Sequence, residues 1–185
     1  MRVVAGEFRG RRLVSPSGRA VRPTKDGVRE AIFGMLQSMG ALEGASVLDL
    51  FAGTGALGIE ALSRGAATVA FVERDAAALR ILRSNLDRLG LGEPRATVVP
   101  AEVMGFLERA GGQRLAADLV LCDPPYSFAR WPELLGRLPA NLVVVESDTE
   151  LPTVEGWMVR NTKRYGGTLV CLLQAIGNDQ MKGLA

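Results

Sequence analysis

From residue 46 onward the chain alternates short apolar runs with segments of helical period, and this alternation limits the possible folds more than any other feature. The apolar runs predict strands at 46–50, 68–73, 95–99, 118–122 and 142–146, and helices are predicted at 56–64, from Asp75 to Gly90 and at 102–109. Buried apolar strands joined by helices favour a doubly wound, mostly parallel α/β sheet. Two final runs, 157–163 and 168–174, flank a Tyr-Gly-Gly turn and predict a closing hairpin, which gives seven strands with one antiparallel strand at an edge.

The first forty residues follow a different pattern. Short β-like runs at 2–6 and 11–14 indicate a hairpin, and apolar residues then recur at helical spacing over 25–39. We therefore expect residues 1–40 to form a basic hairpin-and-helix extension that packs on a main domain of residues 41–185.

Composition excludes several kinds of site. The chain contains no histidine, which rules out histidine-based triads and histidine zinc sites. Its two cysteines, Cys122 and Cys171, lie in apolar runs without a C-x-x-C motif and are expected to be reduced core residues. No apolar run approaches the length of a membrane span, and the amino terminus lacks the apolar stretch of a secretory leader. These features predict a cytoplasmic protein with no membrane partner and no metal.

Positive charge is concentrated at the amino terminus. Residues 1–30 contain eight basic and three acidic residues, although the whole chain carries a net charge of only +2. Such a distribution is typical of a protein that binds a polyanion, and it is equally compatible with a solvated basic edge. Charge alone leaves both interpretations open.

A glycine-rich turn joins the predicted strand at 46–50 to the helix that follows. Gly53 and Gly55 permit a tight turn and let a ligand approach the backbone near the free N–H groups of the helix. The glycine spacing by itself is a weak signal that many nucleotide-binding folds share. Asp49, at the strand end, would repel a dinucleotide pyrophosphate but suits the ammonium and sulfonium groups of S-adenosylmethionine. Glu73 ends the next strand, where an acid can bind ribose hydroxyls.

A second motif, Asp-Pro-Pro-Tyr at residues 123–126, follows the predicted strand at 118–122. Two prolines stiffen the loop and remove backbone donors, which leaves a carboxylate, carbonyl oxygens and an aromatic ring. Such a cluster of acceptors can hold the N–H groups of a planar amine while Tyr126 stacks on a flat base. Hydrogen bonds from the amine to Asp123 and to the Pro124 carbonyl would direct its lone pair toward a methyl donor, so no base that titrates near neutral pH is required.

These motifs resemble those of class I S-adenosylmethionine-dependent methyltransferases that carry a D-P-P-Y motif. Together with R-V-V-A-G at 2–6, G-R-R at 10–12, R-P-T at 22–24 and the stretch at 48–65, they are similar to one family in particular. That family is the bacterial small-subunit rRNA guanine-N2 methyltransferases of the RsmD type, and the resemblance covers nearly the whole chain.

The resemblance implies a Rossmann-like fold and a specific reaction. A methyl group would pass from S-adenosylmethionine to the N2 amine of a guanine in 16S rRNA, at the loop guanine of the 966 type, leaving S-adenosylhomocysteine. The implied partner is the small ribosomal subunit, and the protein is expected to act as a monomer.

The resemblance also assigns roles to individual residues. The methionine end of the cofactor would be lined by Asp49, Phe51, Gly53 and Gly55, the ribose would be bound by Glu73, and the adenine would face Glu102. The target-amine site would consist of Asp123, Pro124 and Tyr126.

A set of basic side chains is expected to contact RNA phosphates and so offset the cost of extruding the target base. The set comprises Arg9, Arg11, Arg12, Arg22 and Arg29 near the amino terminus and Lys163 and Arg164 on the terminal hairpin.

Three other functions share parts of this pattern. A DNA adenine-N6 methyltransferase uses the same motif and chemistry, usually with an added target-recognition region for which this chain has no space. A protein-glutamine methyltransferase usually begins the motif with asparagine, where this chain has Asp123. A catalytically silent RNA-binding or assembly protein on the same fold would not need the acidic set Asp49, Glu73 and Asp123.

Overall fold

The computed structural model describes residues 1–15, 26–110 and 116–176 of the 185-residue chain. In this part of the chain the helices are α1 (Asp26–Ser38), α2 (Ala56–Ser63), α3 (Ala76–Leu89), α4 (Val103–Ala110) and α5 (Trp131–Leu135). The strands are β1 (Ser46–Leu50), β2 (Thr68–Glu73), β3 (Ala96–Pro100), β4 (Leu119–Cys122), β5 (Leu142–Ser147), β6 (Trp157–Tyr165) and β7 (Thr168–Ala175). None of these described helices is long and apolar enough to cross a lipid bilayer.

The strands form one sheet in the order β3-β2-β1-β4-β5-β7-β6. Strands β1 to β5 pair in parallel, and β7 is antiparallel to both of its neighbours, β5 and β6. This arrangement confirms the predicted doubly wound, mostly parallel seven-stranded fold.

The antiparallel strand lies one position further into the sheet than the sequence predicts. The outermost strand is β6, and β7 is inserted between it and β5. Every residue of β7 from Thr168 to Leu173 is buried, whereas most residues of β6 are exposed, including Arg160, Lys163 and Arg164. The apolar strand therefore takes the interior position, and the charged strand forms the edge, where charge discourages pairing with another chain.

The two faces of the sheet carry separate parts of the core, because successive side chains of a strand point to opposite faces. On one face the N-terminal segment, α1, α2 and α3 pack against residues that include Val47, Phe71 and Leu121. On the other face, α4 and α5 pack against residues that include Leu48 and Val120. The strand order reverses between β1 and β4, and in such sheets a ligand crevice opens at the carboxyl ends of the strands beside the reversal.

Helix boundaries largely follow the signals in the sequence. Asp75 caps α3 by accepting a hydrogen bond from the N–H of Ala78 at 2.8 Å, and Gly90 ends the helix in the left-handed conformation with φ 68°. The sequence pattern does not predict α5, because its five residues are too few for a helical period to be visible.

Residues 1–15 fold back across α2 and α3. Within this segment the predicted hairpin is reduced to one antiparallel bridge between Arg2 and Arg12. The backbone N–H groups of Val4 and Ala5 donate to the carboxylate of Glu60 in α2, at 2.8 and 3.0 Å. Because Glu60 is only 1% exposed, these bonds fix the segment firmly to the helix that begins at the glycine-rich turn.

Candidate active site

A cavity of about 960 Å³ opens at the carboxyl ends of β1, β2, β4 and β5. Its wall includes Asp49, Glu73, Glu102, Asp123 and Glu146, together with main-chain atoms of the turn after β1. The cavity lies beside the reversal of strand order, as expected for a doubly wound sheet. The structure thus brings the two sequence motifs into one pocket, although Asp49 and Asp123 lie 74 positions apart in the sequence.

The strand register explains how the carboxyl groups are layered. Asp49 of β1 pairs with Phe71 of β2 and Leu121 of β4. Glu73 and Asp123 each follow two residues later, so they extend about 6.6 Å further along the strands and point to the same face. Asp49 is therefore the floor of the pocket, and Glu73 and Asp123 stand on either side of it.

Asp49 is 1% exposed and accepts a hydrogen bond from the N–H of Gly58 in α2 at 2.9 Å. Burial raises the pKa of its carboxyl to about 8, the charges of Asp123 and Glu73 act in the same direction, and the Gly58 hydrogen bond opposes them. Asp49 is therefore mostly protonated at neutral pH in this pocket, and a positively charged ligand would favour its ionised form.

The turn after β1 contains left-handed backbone at two residues, Phe51 and Gly53, both of which line the pocket. Phe51 has φ 59° and Gly53 has φ 55°, and the Gly53 N–H donates to Glu73 at 2.8 Å. Gly55 has φ 82° and is buried where a side chain would collide with Leu82. Gly55 thus shapes the turn, and it is not among the residues that line the cavity.

Gly58 belongs to the site through its bond to Asp49, but it is not among the site residues predicted from the sequence. A side chain at this position would collide with Phe71 and with Asp49. Its backbone also supplies the hydrogen bond to Asp49. Its place as the third glycine of a G-x-G-x-x-G spacing is the signal that could have identified it.

Glu73 and Glu102 hold fixed positions because backbone N–H groups bind them. Glu73 accepts from the N–H groups of Arg74 and Asp75, each at 2.7 Å, in addition to Gly53. Glu102 accepts from the Gly105 N–H at 2.8 Å, and this bond holds the pKa of its carboxyl below the ordinary value. Both side chains are thereby oriented before any ligand binds.

The loop after β4 supplies the other wall. Asp123 is half-buried, Pro124 is buried and Tyr126 is 49% exposed, and all three line the cavity. Phe128 packs edge-on against Phe51, with ring centroids 5.4 Å apart. This contact joins the loop carrying the Asp-Pro-Pro-Tyr motif to the glycine-rich turn, and sequence periodicity gives no signal for it because both residues lie outside regular elements.

The predicted RNA-contacting residues fall into different environments. Arg9 and Arg12 are exposed in the N-terminal segment. Lys163 and Arg164 are exposed on the edge strand β6, directly before Tyr165, which lines the cavity. These four cations therefore lie on surfaces that a polyanion can reach.

The other predicted RNA contacts differ. Arg11 donates to the main-chain carbonyl of Arg88 at 2.6 Å and so binds the last turn of α3. Arg29 is fully buried, and its guanidinium donates to the Arg2 carbonyl at 2.7 Å and to Asp26 at 2.8 Å. The prediction of a phosphate contact is wrong for Arg29, because no phosphate reaches a side chain without exposed surface. Arg22 lies outside the described residues.

Two exposed arginines at the cavity wall, Arg74 and Arg130, are absent from the predicted set. Both lower the pKa of Glu102 by their positive charge, although less than the Gly105 hydrogen bond does. Arg130 also forms a bidentate ion pair with Glu133. Neither residue belongs to a sequence motif, so their position became visible only in the fold.

Comparison with known proteins places the chain among a group of bacterial relatives. The family model described as conserved hypothetical protein 95 matches residues 1–174. Over 184 residues the chain is 38% identical to the ribosomal RNA small subunit methyltransferase D of Escherichia coli strain K12, covering 94% of this chain and 89% of that protein. The protein of the same name from Haemophilus influenzae strain Rd is 34% identical over 175 residues, which cover 90% and 89%. Among solved structures, a hypothetical protein from Thermus thermophilus superimposes with a TM-score of 0.82 at 32% identity, over 95% of this chain and 99% of that one.

Proposed function

Since the chain belongs to the conserved hypothetical protein 95 family, to which the RsmD methyltransferases belong, we propose that it methylates the N2 amine of a guanine in small-subunit rRNA. The observation that carries the proposal is the shared pocket of Asp49 and Asp123. In this pocket the carboxyl group of Asp49, which suits a cationic methyl donor, lies beside that of Asp123, which suits a planar amine.

The residues present fit S-adenosylmethionine as the methyl donor. Asp49 is a buried acid whose pKa is raised by burial, and an ammonium or sulfonium group beside it would stabilise its ionised form. Glu73 and Glu102 offer preoriented carboxylates for ribose hydroxyls and for the adenine amine. The cavity volume lies at the upper end of the range for small-molecule sites, which leaves room for a base beside the cofactor.

The proposed reaction depends chiefly on positioning. When bound, S-adenosylmethionine supplies a methyl group attached to a positively charged sulfur. Asp123 and the Pro124 carbonyl accept hydrogen bonds from the target amine and direct its lone pair toward that methyl group. Tyr126 stacks on the base. The carboxylate of Asp123 takes the proton that the amine loses, and solvent at the cavity mouth then receives it.

The RNA would contact two groups of exposed cations that lie outside the pocket. Arg9 and Arg12 reach it from residues 1–40, the proposed RNA-contacting extension, and Lys163 and Arg164 from β6. Residues 41–185 form the proposed methyltransferase domain. We place the activity on small ribosomal subunits in the cytoplasm, with a single copy of the chain sufficient for it.

Two measurements test this proposal against its alternatives. Calorimetry with S-adenosylmethionine and with NAD separates the two cofactor classes, and binding of NAD alone would exclude a methyltransferase. Transfer of a labelled methyl group is then compared between undermethylated small subunits, naked rRNA and DNA. Label in N2-methylguanosine supports the proposal, whereas N6-methyladenine in DNA supports a DNA methyltransferase. Cofactor binding without transfer to any substrate supports a silent assembly protein.

A further inference from the structure

Glu146 is a buried carboxyl group on the wall of the same cavity, and neither sequence motif includes it. Strands β4 and β5 pair with Cys122 opposite Val145, so Asp123 and Glu146 are the next residues on adjacent strands. Neighbouring strands lie about 4.8 Å apart, and alternation directs both side chains to the same face. Glu146 therefore lies next to the proposed target-amine site, on the side away from Asp49.

The surroundings of Glu146 suit a flat base. The chain has two tyrosines, Tyr126 and Tyr165, and both line the cavity. Thr168 of β7 and Val28 of α1 also contribute to this end of the wall. Unpaired bases are commonly bound by stacking on aromatic side chains and by hydrogen bonds to their edges. Glu146 provides an edge-reading group in such a setting, and the pairing of β5 with β7 holds its backbone rigidly.

We propose that Glu146 determines the choice of base, with a carboxyl oxygen accepting the N1–H of guanine while Asp123 holds the neighbouring N2 amine. This inference rests on the proposed function. A carboxylate has about four acceptor positions, so it can bind a base and a protein group at the same time.

The chemistry of the bases gives this contact its selectivity. In guanine the exocyclic amine lies beside a ring N–H, so two donors face the two carboxyl groups. In adenine and in cytosine the amine lies beside an unprotonated ring nitrogen, whose lone pair would face Glu146. A buried acceptor strongly rejects an analogue that presents a lone pair in place of the donor, because the two lone pairs repel and the hydrogen bond to the base is lost. Glu146 thus accounts for a preference for guanine over adenine that the Asp-Pro-Pro-Tyr loop alone does not provide.

The test uses 2-aminopurine, a base that keeps the 2-amine of guanine and lacks its N1–H. Small subunits are reconstituted with guanine or 2-aminopurine at the nucleotide that the wild-type enzyme methylates, and kcat/KM is measured for both. The same pair of substrates is given to the variant Glu146→Gln, whose amide can accept from guanine and donate to 2-aminopurine. Intrinsic differences between the two amines cancel when the ratios of the two enzymes are compared.

We expect the ratio of kcat/KM for guanine to that for 2-aminopurine to fall roughly 10- to 100-fold in Glu146→Gln, the range of one good base contact. Glu150→Gln, the same change at an exposed residue beyond β5, should keep the wild-type ratio. A purely structural role for Glu146 would lower activity on both bases equally, and an unchanged ratio overturns the inference.

Two further readouts keep the outcome decisive. Affinity for S-adenosylhomocysteine reports whether Glu146→Gln is folded. If it is not, the ratio is measured in Glu146→Asp, which keeps the charge but withdraws it by one methylene. We expect a ratio in Glu146→Asp between those of the wild type and of an enzyme that lacks the contact. In that case an unchanged ratio in Glu146→Asp counts against Glu146. Absence of guanine methylation by the wild-type enzyme would instead refute the proposed function, so the two failures are distinguishable.

Discussion

The side-chain nitrogen of Asn85 donates a hydrogen bond to the main-chain carbonyl of Thr54 across 2.9 Å. The same amide donates to the Val14 carbonyl at 3.1 Å and accepts from the Val14 N–H at 2.7 Å. Asn85 is fully buried in α3, so this one side chain joins the glycine-rich turn to the end of the N-terminal segment. The proposed cofactor site and the proposed RNA-contacting extension thus share an anchor.

Replacement of that anchor should weaken cofactor binding. In Asn85→Ala the Thr54 carbonyl and both polar groups of Val14 lose their partner, which we expect to destabilise the fold by about 2 kcal/mol or more and to lower affinity for S-adenosylhomocysteine about tenfold. Thermal unfolding and calorimetry provide the two readouts.

Ser63→Ala is the matched control for Asn85→Ala. Ser63 accepts a hydrogen bond from the Phe8 N–H at 2.9 Å and so also holds the N-terminal segment, but it makes no bond to the glycine-rich turn. This variant should lose stability and keep its cofactor affinity. Equal cofactor affinity in the two variants would show that the Thr54 bond does not position the turn.

Asp49 should make the stability of the ligand-free protein depend on pH. Its folded pKa of about 8 lies above the ordinary value of 3.8, so its stabilising contribution is complete below pH 3.8, declines as the pH rises and is lost above about pH 8. Asp49→Asn keeps an acceptor for the Gly58 N–H and removes the titration. The difference in melting temperature between the variant and the wild type should therefore grow from pH 4 to pH 8. The exposed Asp87 provides the control, since Asp87→Asn should show no such growth.

The same titration should appear in cofactor binding. A cationic ligand favours the ionised form of Asp49, so binding of S-adenosylmethionine below pH 8 should release a proton. Calorimetry in buffers of different ionisation enthalpy measures that release. Identical heats in all buffers at pH 7 would mean that Asp49 does not change its protonation when the cofactor binds.

Asp123 should affect turnover far more than cofactor binding. In Asp123→Ala the target amine loses its carboxylate acceptor, and we expect kcat to fall about 100-fold or more with nearly unchanged affinity for S-adenosylhomocysteine. Asp118 directly precedes β4, whereas Asp123 directly follows it. The control Asp118→Ala removes a carboxylate that binds the side chain of Ser46 in β1. It should reduce stability and leave kcat within a few-fold of wild type. A collapse of cofactor affinity in Asp123→Ala would assign that residue to the cofactor rather than to the amine.

Arg9 and Arg12 should contribute to RNA affinity through phosphate contacts. The double variant Arg9→Ala with Arg12→Ala should weaken binding to small-subunit RNA and reduce the slope of log K against log salt by about 0.7 for each lost contact. Arg109, at the end of α4 on the other face of the sheet, serves as the control in Arg109→Ala. Equal slopes in the wild type and the double variant would limit the N-terminal segment to a structural role.

The sequence predicts most of the fold because local rules decide it. The strand Thr68–Glu73 and the helix between Asp75 and Gly90 agree with the structure, since apolar period, capping and a left-handed glycine are all local signals. The position of β7 inside the sheet depends on a comparison of its burial with that of β6. Apolar periodicity predicts each strand separately and does not compare the two strands. The longer apolar run of β7 nevertheless indicates that β7 is the more buried of the two.

The candidate site is only partly predictable for a related reason. Asp49, Glu73 and Asp123 each end an apolar strand, so their convergence follows from a parallel sheet. Glu146 ends a strand in the same way but belongs to no motif. Arg29 has the composition of an RNA contact, and only the packing of α1 against the N-terminal segment shows that it is buried. Charge along a sequence does not reveal which cations the fold encloses.

The proposed reaction brings a methyl donor and the N2 amine of a guanine in small-subunit rRNA together in one pocket. Its most direct test is mass spectrometry of nucleosides from unmethylated small subunits incubated with the protein and isotopically labelled S-adenosylmethionine. We expect the label in N2-methylguanosine, at close to one methyl group per subunit, and its loss in Asp123→Ala. Label confined to another nucleoside, or no label from a protein that binds the cofactor, would exclude methylation of guanine N2.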